Sequence, residues 1–403
     1  MAATEDTRPG FLYLGWAGDP TSTMTVNWQV DAPVSDPQIE FRPVGTNAWQ
    51  RTAAQQTPTP GNGVLYRATL TELTPDTAYE YRAGTGEIHT FRTAPTAPAS
   101  YRFVFFCDTG LIGRLDGLAT GTAQIRDAIR TIDPLFLLGG GDYAYGNKDG
   151  RYTVMAEAGD EWFRQWQPVL PYYPFFPQYG NHEIMLVERF EDWGPRFAVP
   201  NSQAEGRYYS FDVGDVHYTS VFVPDYRMLP DQAQLDWLDQ DLAAARAAGR
   251  RWLIVFLHSA IYGCGISHPS KPQLTNLLVP YFDKYNVDLV ISGHDQSYER
   301  TYALRHEGET PVVTQPSLDT YTQGNGVVYA KISPSGKQSE ISKDFSKFTE
   351  EQQSFMACRD DTAHHYAVVT VAATGALEVD VYSLPPNGTQ STRFDRFTIS
   401  TTK

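Results

Sequence analysis

The chain has 403 residues, 41% of them hydrophobic and 20% charged, enough for two or three soluble domains with substantial cores. Its formal charge of −15 argues against nucleic acid as the main partner, because phosphate backbones are bound by basic surfaces, and no apolar stretch approaches the length of a bilayer span. Cys107, Cys264 and Cys358 are too few for a disulfide framework or a zinc–thiolate site; at most one pair can bridge, and Cys107, inside an apolar run, reads as a buried, inert thiol.

Met1 to Arg8 contains no apolar leader core, which leaves two expectations: a cytoplasmic protein, or a mature secreted or periplasmic chain whose leader has been removed. Residues 11 to about 94 carry short alternating runs, among them Met24–Val30, Gln38–Arg42, Val64–Leu70 and Ala78–Arg82. Turns rich in Pro, Gly, Asp and Thr separate these runs and helical periodicity is absent, so the stretch is expected to form a small antiparallel β-sandwich. Thr93 to Ala99, with Pro95 and Pro98, reads as an extended linker, which divides the chain into residues 1–97 and 98–403. The first part carries no catalytic constellation and is expected to pack or to recognise.

From Tyr101 onward strand-like runs alternate with helical patterns, the signature of a layered α/β fold. Thr122 to Thr131 suits a helix. A second helix is predicted after Leu229, with Asp231 as its cap, Leu235, Leu238 and Leu242 as its apolar stripe and Gly249 as its stop. Gly206 to Val221 reads as a hairpin turning at Gly214–Asp215, with His217 a structural residue inside it. Ser333 to Thr362 is polar and is expected to be a long surface insertion or lid.

Five apolar runs end alike. Arg102 to Cys107 leads to Asp108, and Pro134 to Gly141 leads to Asp142, with Tyr145 three residues on. Pro174 to Gly180 leads to Asn181-His182, Trp252 to Leu257 leads to His258, and Val287 to Ile291 leads through Ser292-Gly293 to His294. Ligands of open α/β sheets lie beyond the carboxyl ends of the strands. Any one of these residues reads as readily as a hydrogen-bonded turn residue; five together point to a metal site with mixed oxygen and nitrogen ligands. Bound cations would also let an acidic chain act on a phosphate ester, by reversing the field locally.

In this order the motifs Asp108-Thr-Gly110, Gly141-Asp-Tyr-Ala-Tyr145, Gly180-Asn-His-Glu183, His258 and Gly293-His-Asp-Gln296, with Tyr298-Glu-Arg300 beyond them, resemble those of the purple acid phosphatases within the calcineurin-like metallophosphoesterases. Leu73 to Tyr81 resembles the strand-corner segment of the fibronectin type III-like domain that such enzymes often carry at the amino terminus, so the likeness covers nearly the whole chain. It implies an all-β sandwich followed by an α/β metallophosphoesterase domain of four αββα layers. It implies two metal ions, one held by Asp108, Asp142 and Tyr145, the other by Asp142, Asn181, His258 and His294. Fe³⁺ with Zn²⁺, Mn²⁺ or Fe²⁺ is the implied pair, since a tyrosinate favours a trivalent ion and a shared carboxylate offsets the repulsion between two cations. His182 is implied as a proton donor or phosphoryl-oxygen binder. His268 can assist the leaving group, although a solvated loop histidine is an equal reading. The implied activity is hydrolysis of a small-molecule phosphate ester, a monoester foremost, by metal-bound hydroxide and without a Ser or Cys nucleophile.

The family's last motif ends in histidine, and here the position is Gln296, whose amide oxygen is a neutral and weaker donor. Three outcomes stand open: coordination through oxygen to a harder ion such as Mn²⁺, Mg²⁺ or Fe³⁺, a water in the gap, or an empty first position with one metal remaining. With Asp108, Asp142 and Tyr145 all present, a retained but altered first position is expected. The alteration keeps a diester or an unusual phosphoryl substrate as an alternative, and a non-hydrolytic phosphate-binding protein on the same fold as another. The sequence specifies no oligomeric state.

Overall fold

In the computed structural model, which describes residues 8–184, 189–265, 269–337 and 354–401, the alternating runs up to Arg92 form two four-stranded antiparallel sheets. Met24–Val30 lies between Phe11–Gly15 and Val64–Leu70, while Gln38–Pro43 pairs with Ala78–Ala83. Strand alternation sends every second side chain inward. Leu12, Leu14, Val26 and Trp28 of one sheet therefore share an apolar cluster with Ile39, Phe41, Tyr79 and Tyr81 of the other. The predicted linker is shortened at its start: Thr93 to Pro95 is buried, Thr93 Oγ1 donates to Thr74 O at 2.7 Å, and the exposed stretch begins at Thr96.

The sandwich is seated on the rest of the chain through Arg196. Its guanidinium pairs with Asp160 at 2.7 Å, both side chains being buried, and also donates to the carbonyl of Pro60 in the sandwich at 3.2 Å. The Arg196 carbonyl accepts from Tyr13 and Arg67 of the sandwich. A packing role for the first part agrees with these contacts.

Two seven-stranded sheets follow. In one, Phe175–Pro177, Phe136–Gly139 and Tyr101–Phe106 run parallel side by side; in the other, Val216–Ser220, Trp252–Phe256, Leu289–Ser292 and Val328–Lys331 do the same. These strands are apolar on both faces because each face is covered. Phe103, Phe105 and Leu138 meet Ile254, Phe256 and Ile291 between the sheets. Val104, Phe106 and Leu137 pack outward on Ile125, Ile129 and Trp162, from the helices Thr122–Ile132 and Met155–Gln165. Leu253, Val255 and Val290 pack outward on Leu238, Leu242 and Leu278, from the helices Gln232–Ala247 and Pro272–Lys284. The layers are thus helix, sheet, sheet, helix. Asp231 caps its helix as expected, accepting the Gln234 N–H at 2.9 Å, a bond worth about 1 kcal/mol. Among the described residues no helix is long and apolar enough to cross a membrane, and all three cysteines are free thiols.

The reading of Ser333 to Thr362 as a surface insertion or lid needs correction at both ends. Ser333, Ser335 and Lys337 are buried, and Met356–Asp360 is a strand paired with Tyr298–Thr301. Residues 338–353 lie outside the described residues. The serines escape a hydropathy reading because their hydroxyls bond internally, to Asp108 and to the His365 carbonyl.

His217 is structural, as expected, and it is charged. Its Nδ1 meets Asp212 at 2.7 Å and its Nε2 meets Asp241 at 2.9 Å. Burial opposes the charge, but the hydrogen bonds and charges of the two carboxylates outweigh it and raise the pKa to about 9. A folded pKa above the unfolded value stabilises fully below about pH 6.5, and the contribution is lost as pH rises through about 9. His217→Gln is accordingly expected to cost about 2 kcal/mol at pH 6 and clearly less at pH 10 in urea unfolding. An equal cost at both pH values would contradict an imidazolium.

Candidate metal centre

Each residue at the centre is delivered by a strand end. Asp108 follows Tyr101–Phe106, Asp142 follows Phe136–Gly139, and Asn181 and His182 follow Phe175–Pro177. His258 follows Trp252–Phe256 and His294 follows Leu289–Ser292, from the second sheet. Parallel pairing within each sheet puts these ends on one side.

The chain pays for this convergence in backbone strain. Asp108, Asp142, Tyr145 and His294 all hold left-handed φ, at 52°, 56°, 53° and 75°. Such conformations are unfavourable for side chains larger than Gly or Asn, and they collect where surrounding structure over-determines a functional geometry. Gly180 and Gly293 supply the room: a Cβ on Gly180 would run into the Asp142 carboxylate and the His258 ring, and one on Gly293 into Cys107 Sγ and the Asp108 carboxylate.

Two groups of donors result. Asp142, His258 and His294 each place a ligand atom within 4.8 Å of the others, and all three are buried. His258 Nδ1 sits 2.6 Å from the Gly140 carbonyl, which can only accept. Nδ1 therefore carries a proton, and Nε2 is the ring atom turned toward His294 Nδ1 at 3.0 Å and Asp142 Oδ2 at 3.5 Å. Asn181 Oδ1 is buried and has no hydrogen-bond partner among the described residues. Beside this group, the Tyr145 hydroxyl donates to Asp108 Oδ1 at 2.8 Å, and Gln296 Nε2 lies 3.4 Å from the same hydroxyl.

The charges call for cations. Burial, and then the neighbouring Asp142 charge, push the Asp108 carboxyl up. The Tyr145 phenol is pushed well up by burial, with Asp108 and Asp142 adding to the effect. Burial works against the Asp142 carboxylate too, but the charges of His258 and His182 outweigh it and hold its pKa down. His258 is pulled down by burial and raised to about 9 by Asp142. Two buried carboxylates and a phenol in contact with histidines, together with an orphaned amide oxygen, fit a set of hard and borderline metal donors.

Six of the seven predicted metal residues are thus linked by contacts, with His294 N donating to Asp108 Oδ2 at 3.1 Å to join the two groups. Asn181 stands in the chain between Gly180 and His182, whose place is beside Asp142. The His182 backbone N–H donates to Asp142 Oδ1 at 3.0 Å, its Nδ1 bonds Asn147 Oδ1 at 2.8 Å, and its ring lies 4.1 Å from that of Tyr145. His268 lies outside the described residues. Several contributors carried no assignment from the sequence. Glu183 accepts the N–H groups of Asp142, Tyr143 and Gly180 at 2.7, 2.8 and 2.9 Å, and so fixes two of the turns. Its place in the Gly-Asn-His-Glu motif was the available signal. Ser333 Oγ donates to Asp108 Oδ2 at 2.9 Å, and Lys337 reaches the Tyr145 ring; nothing in the local sequence marks either.

Comparison with known proteins agrees with the geometry. Residues 9–96 match the purple acid phosphatase N-terminal domain, and residues 101–298 match the calcineurin-like phosphoesterases. An uncharacterized protein of Mycobacterium tuberculosis is 30% identical over 374 residues, which cover 81% of this chain and 69% of that protein. Acid phosphatase type 7 of Homo sapiens is 30% identical over 329 residues, 73% of this chain and 71% of its own length. A purple acid phosphatase isolated from yellow lupin (Lupinus luteus) seeds superposes with a TM-score of 0.80 over 98% of this chain and 75% of that one; at 20% identity this likeness is one of fold.

Proposed function

We propose a reaction for this chain from the premise that it belongs to the purple acid phosphatases of the calcineurin-like phosphoesterase family and is a hydrolase: it cleaves a small phosphate monoester with the help of two metal ions. The observation that carries this reading is the convergence of Asp142, His258 and His294 within 4.8 Å at strand ends from two different sheets. Asp108, Tyr145 and Asp142 would hold the first ion, with Gln296 beside them. Asp142, Asn181, His258 and His294 would hold the second. The division of the chain into residues 1–97 and 98–403 belongs to the same proposal.

When bound, two such ions neutralise a phosphoryl group and make a water acidic enough to attack it. The chain's own residues do the rest. Asp142, gripped by the His182 N–H and by the turn that Glu183 fixes, would be the carboxylate shared between the ions. His258 is oriented by the Gly140 carbonyl and cannot swing away. His182, held through Nδ1 by Asn147 and with its backbone N–H on Asp142, is positioned to bind a phosphoryl oxygen or to protonate the leaving group.

Gln296 is buried with its side-chain amide beside the Tyr145 hydroxyl, which supports a retained first position served by a weaker, neutral donor and suited to a hard ion such as Mn²⁺, Mg²⁺ or Fe³⁺. The test is elemental analysis and a visible spectrum of the purified protein beside Gln296→His, with turnover of p-nitrophenyl phosphate and its bis ester under added Mn²⁺, Zn²⁺ or Fe. Close to two metals per chain and preferred turnover of the monoester are expected. Gln296→His is expected to strengthen iron binding and the tyrosinate-to-iron band. One metal per chain, with both the second metal and the band restored by Gln296→His, would sink the binuclear part. Bound metal without turnover of either ester would leave a phosphate-binding protein.

A further inference from the structure

The strand Tyr101–Phe106 is buried along its length except at Arg102, beside its start. Asp108 lies beyond the other end, so at about 3.3 Å per residue the two are about 20 Å apart. Arg102 stands opposite Thr370 in the sheet, and its side chain makes no ion pair or hydrogen bond among the described residues. In a chain with 47 acidic and 32 basic residues, an arginine that no carboxylate claims calls for a reason.

Arg102 lines a cleft of about 520 Å³ between the sandwich and the layered α/β part, a volume that suits a small molecule. The sandwich contributes Phe91 and Arg92, and the α/β part contributes Arg130, Leu135 and Tyr172 beside Arg102. Arg92 meets Asp76 at 2.9 Å, but both side chains are more than half exposed and the pair is weak. Arg130 lies over the Tyr172 ring at 4.1 Å and donates to the Tyr173 hydroxyl at 2.8 Å, which in turn donates to Asp133 at 2.9 Å. Three guanidiniums thus stand with two carboxylates, both already engaged, and the surplus charge is that of Arg102.

A local positive excess on an acidic chain selects anions, and a guanidinium fork takes a carboxylate or phosphate through two parallel hydrogen bonds. Phe91, Leu135 and Tyr172 add apolar and aromatic surface that a bare inorganic ion would leave unused. We propose that this cleft binds a small organic anion, a carboxylate or phosphate carried on an aromatic ring, with Arg102 as the partner of the anionic group. The site is separate from the metal centre and independent of the hydrolytic reading, and it gives the sandwich a recognition role besides packing.

The test is calorimetric titration of 1-naphthoate into metal-loaded wild type, Arg102→Gln, Arg102→Lys and Asp142→Asn, with thermal midpoint and turnover of p-nitrophenyl phosphate measured on each. One saturable site is expected in wild type, kept within about twofold in Asp142→Asn and weakened about tenfold in Arg102→Gln, whose turnover stays at the wild-type level. Arg102→Lys is expected to recover only part of the affinity, because a lysine lacks the planar fork. Phenylphosphonate, titrated into Asp142→Asn with and without Arg102→Gln, identifies the head group: tighter binding than 1-naphthoate supports a phosphate ester, weaker binding a carboxylate. Absence of saturable binding by either anion would overturn the proposal. So would affinity within about twofold of wild type in a folded Arg102→Gln. Should Arg102→Gln lose its fold, Arg92→Gln decides in its place, with unchanged affinity for 1-naphthoate overturning the site and a loss of threefold or more supporting it.

Discussion

Asp142→Asn is expected to cut metal-dependent turnover of p-nitrophenyl phosphate by on the order of 10³-fold, the largest functional loss among single substitutions at the centre. The reason is its double membership. Its Oδ2 lies 3.5 Å from His258 Nε2 in the group with His294, its Oδ1 accepts the His182 N–H at 3.0 Å, and its charge acts on both Asp108 and Tyr145. The amide is nearly isosteric, so the turn built on Gly141 and Glu183 is kept while the anion is lost. Elemental analysis should therefore show metal falling from about two ions per chain to below one, with the thermal midpoint close to wild type. Turnover within about tenfold of wild type would place the chemistry elsewhere in the molecule.

The largest expected loss of stability comes from a different cluster. Lys331 Nζ lies 2.8 Å from Asp295 and 2.5 Å from Glu299, and all three side chains are fully buried. Removing the cation leaves two buried carboxylates facing each other, which costs about 3–5 kcal/mol. The damage should reach the metal centre as well, because Asp295 stands between His294 and Gln296, and Glu299 accepts the Cys264 N–H at 3.0 Å. Lys331→Met is expected to lower the unfolding free energy measured in urea by that amount, and adding Asp295→Asn should recover part of it by removing one of the two buried negative charges. A loss below about 1 kcal/mol would mean that these carboxylates are protonated or reached by water.

Much of the molecule could be read from local pattern. The sandwich runs Met24–Val30 and Val64–Leu70 coincide with strands because alternation of period two is a local property of the chain. The helix Gln232–Ala247 was legible from its cap, its stripe and Gly249, which does hold a left-handed φ of 74°. The five strand ends were legible for a related reason: a short apolar run broken by Gly and followed by Asp, Asn or His needs no knowledge of its partners. Whether those ends meet does need it, and only the pairing order within the two sheets brings His258 and His294 of one against Asp142 of the other.

The sequence by itself determined the layered class, the order of the site-bearing strands and the identity of the residues at their ends, because strand propensity and motif spacing act over a few residues. Tertiary structure alone decided what surrounds those residues. Ser333, Ser335 and Lys337 are more than 220 residues away from Asp108 in sequence, and their composition is that of a solvated loop. They are buried because each polar atom that enters finds a partner there: Ser333 with the Asp108 carboxylate, Ser335 with the Cys107 backbone, Lys337 with the Tyr145 ring. Hydropathy measures what a residue loses on leaving water and carries no record of the partner that repays the loss, and that partner is specified only by the fold.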